Sequence, residues 1–172
     1  VLGSSGLDTV VLTANSAYVD GAVETLIGSE SVETVGLTAA GKHGFSDIDT
    51  IIGSGGSDTV SLLHAGSTWL DLSPTVANID TVIGLSAADT VNLLVAQKGY
   101  FMAVETILGS TGIDTITLGT AGTYVAGGSG VDVITGSSGK DYFLYNAISD
   151  ATYASGDTIA AGFTSGVDKV VL

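Results

Sequence analysis

A fifteen-residue unit recurs through this chain and limits its fold more than any other feature. Val23–Leu37 (VETLIGSESVETVGL), Ile48–Leu62 (IDTIIGSGGSDTVSL), Ile79–Leu93 (IDTVIGLSAADTVNL) and Val104–Leu118 (VETILGSTGIDTITL) align without gaps. Val1–Leu12 (VLGSSGLDTVVL) is the same unit without its first three residues, and Val131–Tyr145 (VDVITGSSGKDYFLY) is a sixth, altered copy. The pivot glycines Gly3, Gly28, Gly53, Gly84, Gly109 and Gly136 are spaced 25, 25, 31, 25 and 27 residues apart, so the longer intervals hold loop insertions. A period near 25 in β-rich units means a solenoid, in which each coil stacks on the next. Val1 falls inside a repeat, so the chain is read as part of a longer array.

Each unit holds two acid-Thr-apolar strand starts nine residues apart, followed by a variable stretch. Val60 and Leu62 are two apart and share the inward face, while Thr59 and Ser61 face out. The first strand is apolar on both faces, as in Leu26-Ile27, Ile51-Ile52, Val82-Ile83 and Ile107-Leu108. Something must cover the second apolar column. The variable stretches around Tyr18, His43, Trp69, Tyr100 and Tyr124 are the candidates for a third side. β-branched density, glycine punctuation and two-residue alternation oppose helices. The expected fold is all-β: a right-handed parallel β-solenoid (β-roll or β-helix) of about 25-residue coils, three-sided or flattened.

Stacking coils should also stack equivalent acids. One expected column is Asp8, Glu33, Asp58, Asp89, Asp114 and Asp141; the other is Glu24, Asp49, Asp80, Glu105 and Asp132. Together they hold 11 of the 18 acidic residues, against four lysines and a net charge of −14. That field excludes nucleic acid and anionic surfaces as partners and attracts cations. No run of about 18 apolar residues is present for membrane insertion. Like charges about 4.8 Å apart repel by roughly 1–3 kcal/mol per pair. Cations, backbone amides or raised pKa values must compensate. Carboxylates, serines and turn carbonyls form an oxygen-only environment suited to Ca²⁺ and unsuited to Zn²⁺.

Gly127–Leu144 reads GGSGVDVIT-GSSGKDYFL, two consecutive nonapeptides of the form G-G-x-G-x-D-x-U-x with U a large apolar residue. On these residues the chain resembles the hemolysin-type, or RTX, calcium-binding family. The following segment, with its -GDTI…F-x-x-G-x-DK-I/V-x-L ending, resembles the C-terminal region of RTX proteins exported by type I secretion, serralysin-type proteases included. The resemblance implies calcium held between turns one coil apart. Asp132 and Asp141 would be acidic ligands, with carbonyls from Gly127, Ser129, Gly136 and Ser138. Upstream turns keep the acid at Asp8, Asp58, Asp89 and Asp114, with Asp49 and Asp80 as further candidates. Residues 1–126 are then degenerate coils, and 127–172 the nonapeptide pair with a C-terminal cap, in one continuous solenoid.

Three readings of function follow. The first is a calcium-folded structural region of a secreted or cell-surface protein of a Gram-negative bacterium, a surface-layer protein or adhesin. Its partners would be calcium, the type I secretion machinery and, in a lattice, other copies or cell-surface components. The second is a secretion and folding module attached to an enzyme such as a protease or lipase. The third is an ice-binding solenoid using the outward column Thr9, Thr34, Thr59, Thr90 and Thr115. His43 and His64, the two imidazoles, match no metal or general-base spacing and are expected in surface loops. No catalytic constellation is present in the sequence, and the chain is read as non-enzymatic.

Overall fold

The computed structural model describes residues 1–13, 16–29, 34–48, 50–55, 57–63, 67–71, 79–85, 88–145 and 156–171, with the backbone alone for 67–71 and 79. Eighteen short strands form two parallel sheets of nine. The odd-numbered strands make the first sheet: β1 (Thr9–Val11), β3 (Thr25–Ile27), β5 (Lys42–Ser46), β7 (Asp58–Leu62), β9 (Ile79–Ile83), β11 (Lys98–Met102), β13 (Thr115–Leu118), β15 (Val133–Thr135) and β17 (Thr158–Ala161). The even-numbered strands make the second: β2 (Ser16–Val19), β4 (Thr34–Leu37), β6 (Thr50–Ile52), β8 (Ser67–Asp71), β10 (Thr90–Leu93), β12 (Thr106–Leu108), β14 (Tyr124–Ala126), β16 (Tyr142–Leu144) and β18 (Lys169–Val171). The chain crosses between sheets at every turn, and the solenoid is flattened and two-sided.

Two expectations change. The coil is about 18 residues long, not 25. A full sequence unit contains three strands, such as β3, β4 and β5, and so spans one and a half coils. The variable stretches form no third side. They supply the third strand of each unit, and those strands pair within the same two sheets, as β5 does between β3 and β7.

Between the sheets, alternate side chains interlock. β7 shows the alternation directly, with Val60 and Leu62 buried and Thr59 and Ser61 half-buried. In the second sheet Val91, Ile107, Val125 and Phe143 stack in register, and all four are fully buried. Ile116 and Ile134 do the same in the first sheet. Burying each such side chain contributes roughly 1.5–3 kcal/mol. The second apolar column is only half covered: Ile27, Ile52, Ile83 and Leu108 are half-buried beside their partners in the same sheet, without a third layer.

His43 is not a surface residue. It lies in β5 at 2 % exposure, its Nδ1 bonded to the Val23 carbonyl and its ring 6.1 Å from that of Phe45. Nε2 has no hydrogen-bond partner. His64 lies outside the described residues.

Candidate metal centre in the acid turns

Because each full unit has three strands, successive copies begin on opposite sheets. This splits both expected columns between the two long edges of the roll. Along one edge, Asp8, Glu24, Asp58, Asp80, Asp114, Asp132 and Asp157 lie just before or at the start of strands of the first sheet; along the other, Asp89, Glu105, Asp141 and Asp168 precede strands of the second. Asp49 and Glu33 lie outside the described residues. The threonine column divides in the same way: Thr9 pairs with Thr25, Thr34 with Thr50 and Thr90 with Thr106. Among the described residues the expected column is therefore split between the two sheets and does not form one continuous outward threonine face.

The acid rows are also interrupted. The third strand of each internal unit carries no acid at its start, so Gly41 and Gln97 interrupt one edge and Thr123 the other. What remains are adjacent pairs, in which the amide of one acid donates to the carboxylate one coil further on. Asp8 donates to Glu24 at 2.7 Å, Asp58 to Asp80 at 3.0 Å, Asp89 to Glu105 at 2.8 Å and Asp141 to Asp168 at 2.7 Å. The exception is a run of three: the Asp114 amide donates to Asp132 at 2.7 Å, and the Asp132 amide to Asp157 at 3.0 Å. Asp157, at the start of the sixth copy's third strand, makes the difference.

Within the turns, G-S-x-G-x-D closes on itself. Ser110 donates to Asp114 Oδ2 through its amide at 2.7 Å and its hydroxyl at 2.9 Å, and the Ser110 Oγ accepts the Gly112 amide at 3.0 Å. Ser137 repeats this toward Asp141 at 2.8 and 2.8 Å, with the Gly139 amide at 3.3 Å. Ser54 makes the same pair of bonds to Asp58 at 2.7 and 2.9 Å. Ser4 also bonds Asp8 through both groups. The opposite oxygen of Asp58 or Asp114 accepts an amide from the preceding coil, Gly41 at 3.2 Å or Gln97 at 2.6 Å. These acids are fully buried and their charge is spread over three donors, which stabilises a carboxylate out of water. Burial still holds the Asp114 carboxyl above the usual range against those bonds.

The turn before β15 differs. Its second position is Gly128, in the left-handed region at φ 93°, with Gly130 at φ 141°. The residue two before the acid is also left-handed at Gly166 (φ 86°) and, without glycine, at Ala103 (φ 53°) and Asp47 (φ 56°). Asp132 is fully buried, and its Oδ2 receives no hydrogen bond. Burial pushes its carboxyl up to about 7, against the bond from the Asp114 amide, and the charges of Asp157 and Asp114 add to the rise. A side chain on Gly127 would have its Cβ 2.5 Å from Asp132 Oδ2 and 2.8 Å from Asp157 Oδ2, so both oxygens face one small space.

The expected ligand set is thus divided. Asp132 has an uncompensated oxygen, whereas Asp58, Asp114 and Asp141 are occupied by turn donors. Ser137 bonds Asp141, while Ser138 is exposed. The sequence analysis expected only the Ser138 carbonyl from that pair and gave the Ser137 hydroxyl no role. It also missed Asp157 and Asp168. Their signals were legible: Asp157-Thr158-Ile159 repeats the acid-Thr-apolar start, and Thr164-Ser165-Gly166-Val167-Asp168 matches Ser137–Asp141 in frame. The structure confirms the frame, since the Thr164 amide donates to Asp168 at 2.6 Å. Among the described residues no group of three or more His, Cys, Asp or Glu converges as a ready metal cage. Asp20, left outside the ladders above, takes the Gly3 and Ala22 amides at 2.9 and 3.2 Å, and the first of these holds its carboxyl below the usual range.

A two-sheet parallel roll crossed by glycine-serine-acid turns defines an RTX-type repeat region. The chain belongs to the family described as Peptidase M10 serralysin C terminal, whose model matches residues 2–172. It is therefore the RTX-type repeat region found in type I secreted proteins. Comparison with curated proteins and with solved structures gave no match. The calcium that this family implies fits Asp132: an unpartnered, buried carboxylate oxygen beside a second carboxylate is a hard-oxygen site.

Proposed function

We propose that the chain is the calcium-responsive structural part of a secreted or cell-surface bacterial protein, a surface-layer protein or adhesin, and carries no catalytic site of its own. One observation supports this most: acids of neighbouring coils stack along the roll, with Asp114 and Asp132, and Asp141 and Asp168, buried as pairs, and Asp132 has no donor for one oxygen. With four lysines in the chain, side-chain cations cannot neutralise the rows. At low calcium the charge disfavours stacking, which suits passage through a secretion channel; outside the cell, calcium at the turns would favour the roll. Two flat nine-stranded sheets give regular faces for lateral assembly.

The family description favours a second reading, in which the roll is the C-terminal folding and export module of a secreted enzyme such as a protease or lipase. Calcium titration of chelator-treated protein, followed by far-UV circular dichroism and melting, tests the shared part. A gain of β-structure or a large rise in Tm supports calcium-coupled folding; full β-structure in chelator with an unchanged Tm rejects it. Electron microscopy with calcium then separates the readings: ordered arrays support the surface-layer role, and a dispersed monomer supports the enzyme module.

A further inference from the structure

We propose that the second residue of each described turn decides whether it takes an ion. Turns of the form G-S-x-G-x-D close on their own serine and hold no calcium. Among the described turns, a single calcium is held, between Asp132 and Asp157, where the second residue is Gly128. This rests on the calcium reading above and narrows it.

The serine turns leave a cation little to gain. In the turns of Ser110 and Ser137, Oδ2 of the buried acid already accepts an amide and a hydroxyl. The serine oxygen in turn fixes the amide of the fourth-position glycine. An ion would have to displace a closed set of hydrogen bonds from a buried carboxylate, and the stranded donors would oppose it. Each of these turns also has an acid on only one neighbouring coil among the described residues, which for Asp114 is Asp132 itself.

The Gly128 turn has the opposite properties. Glycine has no hydroxyl to donate, and the φ of 93° is one that serine adopts only at a cost. Asp132 Oδ2 is consequently left without a partner at 0 % exposure. Asp132 is also the middle of the one run of three acids, so it meets like charge on both sides. Its unpartnered oxygen and Asp157 Oδ2 face the same space beside Gly127. Two carboxylates would supply part of the about six to eight oxygens calcium takes, with carbonyls and water for the rest. Asp89 is the nearest rival, buried with Oδ1 unpartnered. Its other oxygen is held by the Leu85 amide at 2.6 Å, and the neighbouring Glu105 is engaged by the Asp89 amide. A Cβ on Gly84, the equivalent of Gly127, would meet the Ala103 carbonyl and Asp89 Oδ2 first, with no second carboxylate among the nearest described atoms.

The test is ion stoichiometry of the chelator-treated full chain, by calorimetric titration and native mass spectrometry. One tightly bound calcium is expected. Asp132→Asn and Asp157→Asn should each lose it, and Ser137→Ala should retain it. Asp157 is only half-buried, so Asp157→Asn gives a folded variant if Asp132→Asn does not fold. Several tightly bound ions, or retention of the ion by Asp157→Asn, would overturn the assignment while leaving calcium-coupled folding intact. No binding at all by the unmodified chain would overturn both.

Discussion

The amide of Asp114 donates to Oδ1 of Asp132, one coil further on, at 2.7 Å. In the sequence these two acids belong to different positions of the repeat: Asp114 precedes the second strand of its unit and Asp132 the first. Their contact shows that neighbouring coils bring unlike repeat positions together. That offset decides where charge accumulates and where it is relieved.

Because Ser137 donates twice to buried Asp141, removing its hydroxyl should matter while removing its exposed neighbour's should not. Ser137→Ala should destabilise the roll by about 1–2 kcal/mol, leaving the Gly139 amide without its acceptor as well. Ser138→Ala should stay within about 0.5 kcal/mol. Urea unfolding in chelator measures both; equal effects would remove the closed-turn account.

Gly109 and Gly122 should respond to alanine for different reasons. A Cβ on Gly109 would run into the Gly127 carbonyl of the next coil, where backbone cannot yield without breaking the stack. Gly109→Ala should therefore cost about 3 kcal/mol or more. Gly122 is left-handed at φ 93° with nothing near its would-be Cβ, so Gly122→Ala should cost only about 1–2 kcal/mol. Thermal melts of the two variants decide the order.

Ile107 is fully buried between Val91 and Val125 in register. Ile107→Ala should cost roughly 2–5 kcal/mol through lost burial and a residual cavity. Hydrogen exchange is expected to show the loss of protection concentrated on the coils around β12, since a solenoid's contacts are between nearest neighbours. Uniform loss along the whole roll would contradict this.

Lys140 and Tyr142 give a pH-dependent signal on the outer face. The Lys140 ammonium beside the phenol holds Tyr142 below the usual tyrosine range, with Nζ 4.7 Å from the ring centroid. Tyr124 stacks on the same ring at 4.2 Å. Lys140→Met removes the cation that favours the phenolate, so the Tyr142 titration should move to higher pH. NMR of a tyrosine-labelled chain would follow it; an unmoved titration would mean that the lysine is not the cause.

The sequence by itself determined the parallel solenoid. The recurring Gly-x-x-x-x-acid-Thr-apolar unit, the alternation of Val60 and Leu62 with Thr59 and Ser61, and the two nonapeptides at Gly127–Leu144 all point to stacked strands joined by glycine turns. It also placed Asp58, Asp114, Asp132 and Asp141 in those turns. Only the tertiary structure decided which of them meet. A repeat identifies equivalent residues, but backbone pairing decides neighbours. Three strands per internal unit in a two-sided coil put successive copies on opposite faces. Hence Asp8 stacks on Glu24, and Asp157, outside the fifteen-residue unit, joins Asp114 and Asp132. The roles of Ser110 and Ser137 were hidden for a related reason: their hydroxyls reach the buried acid only in the folded turn, and the left-handed φ of Gly128 sets the Asp132 turn apart from them.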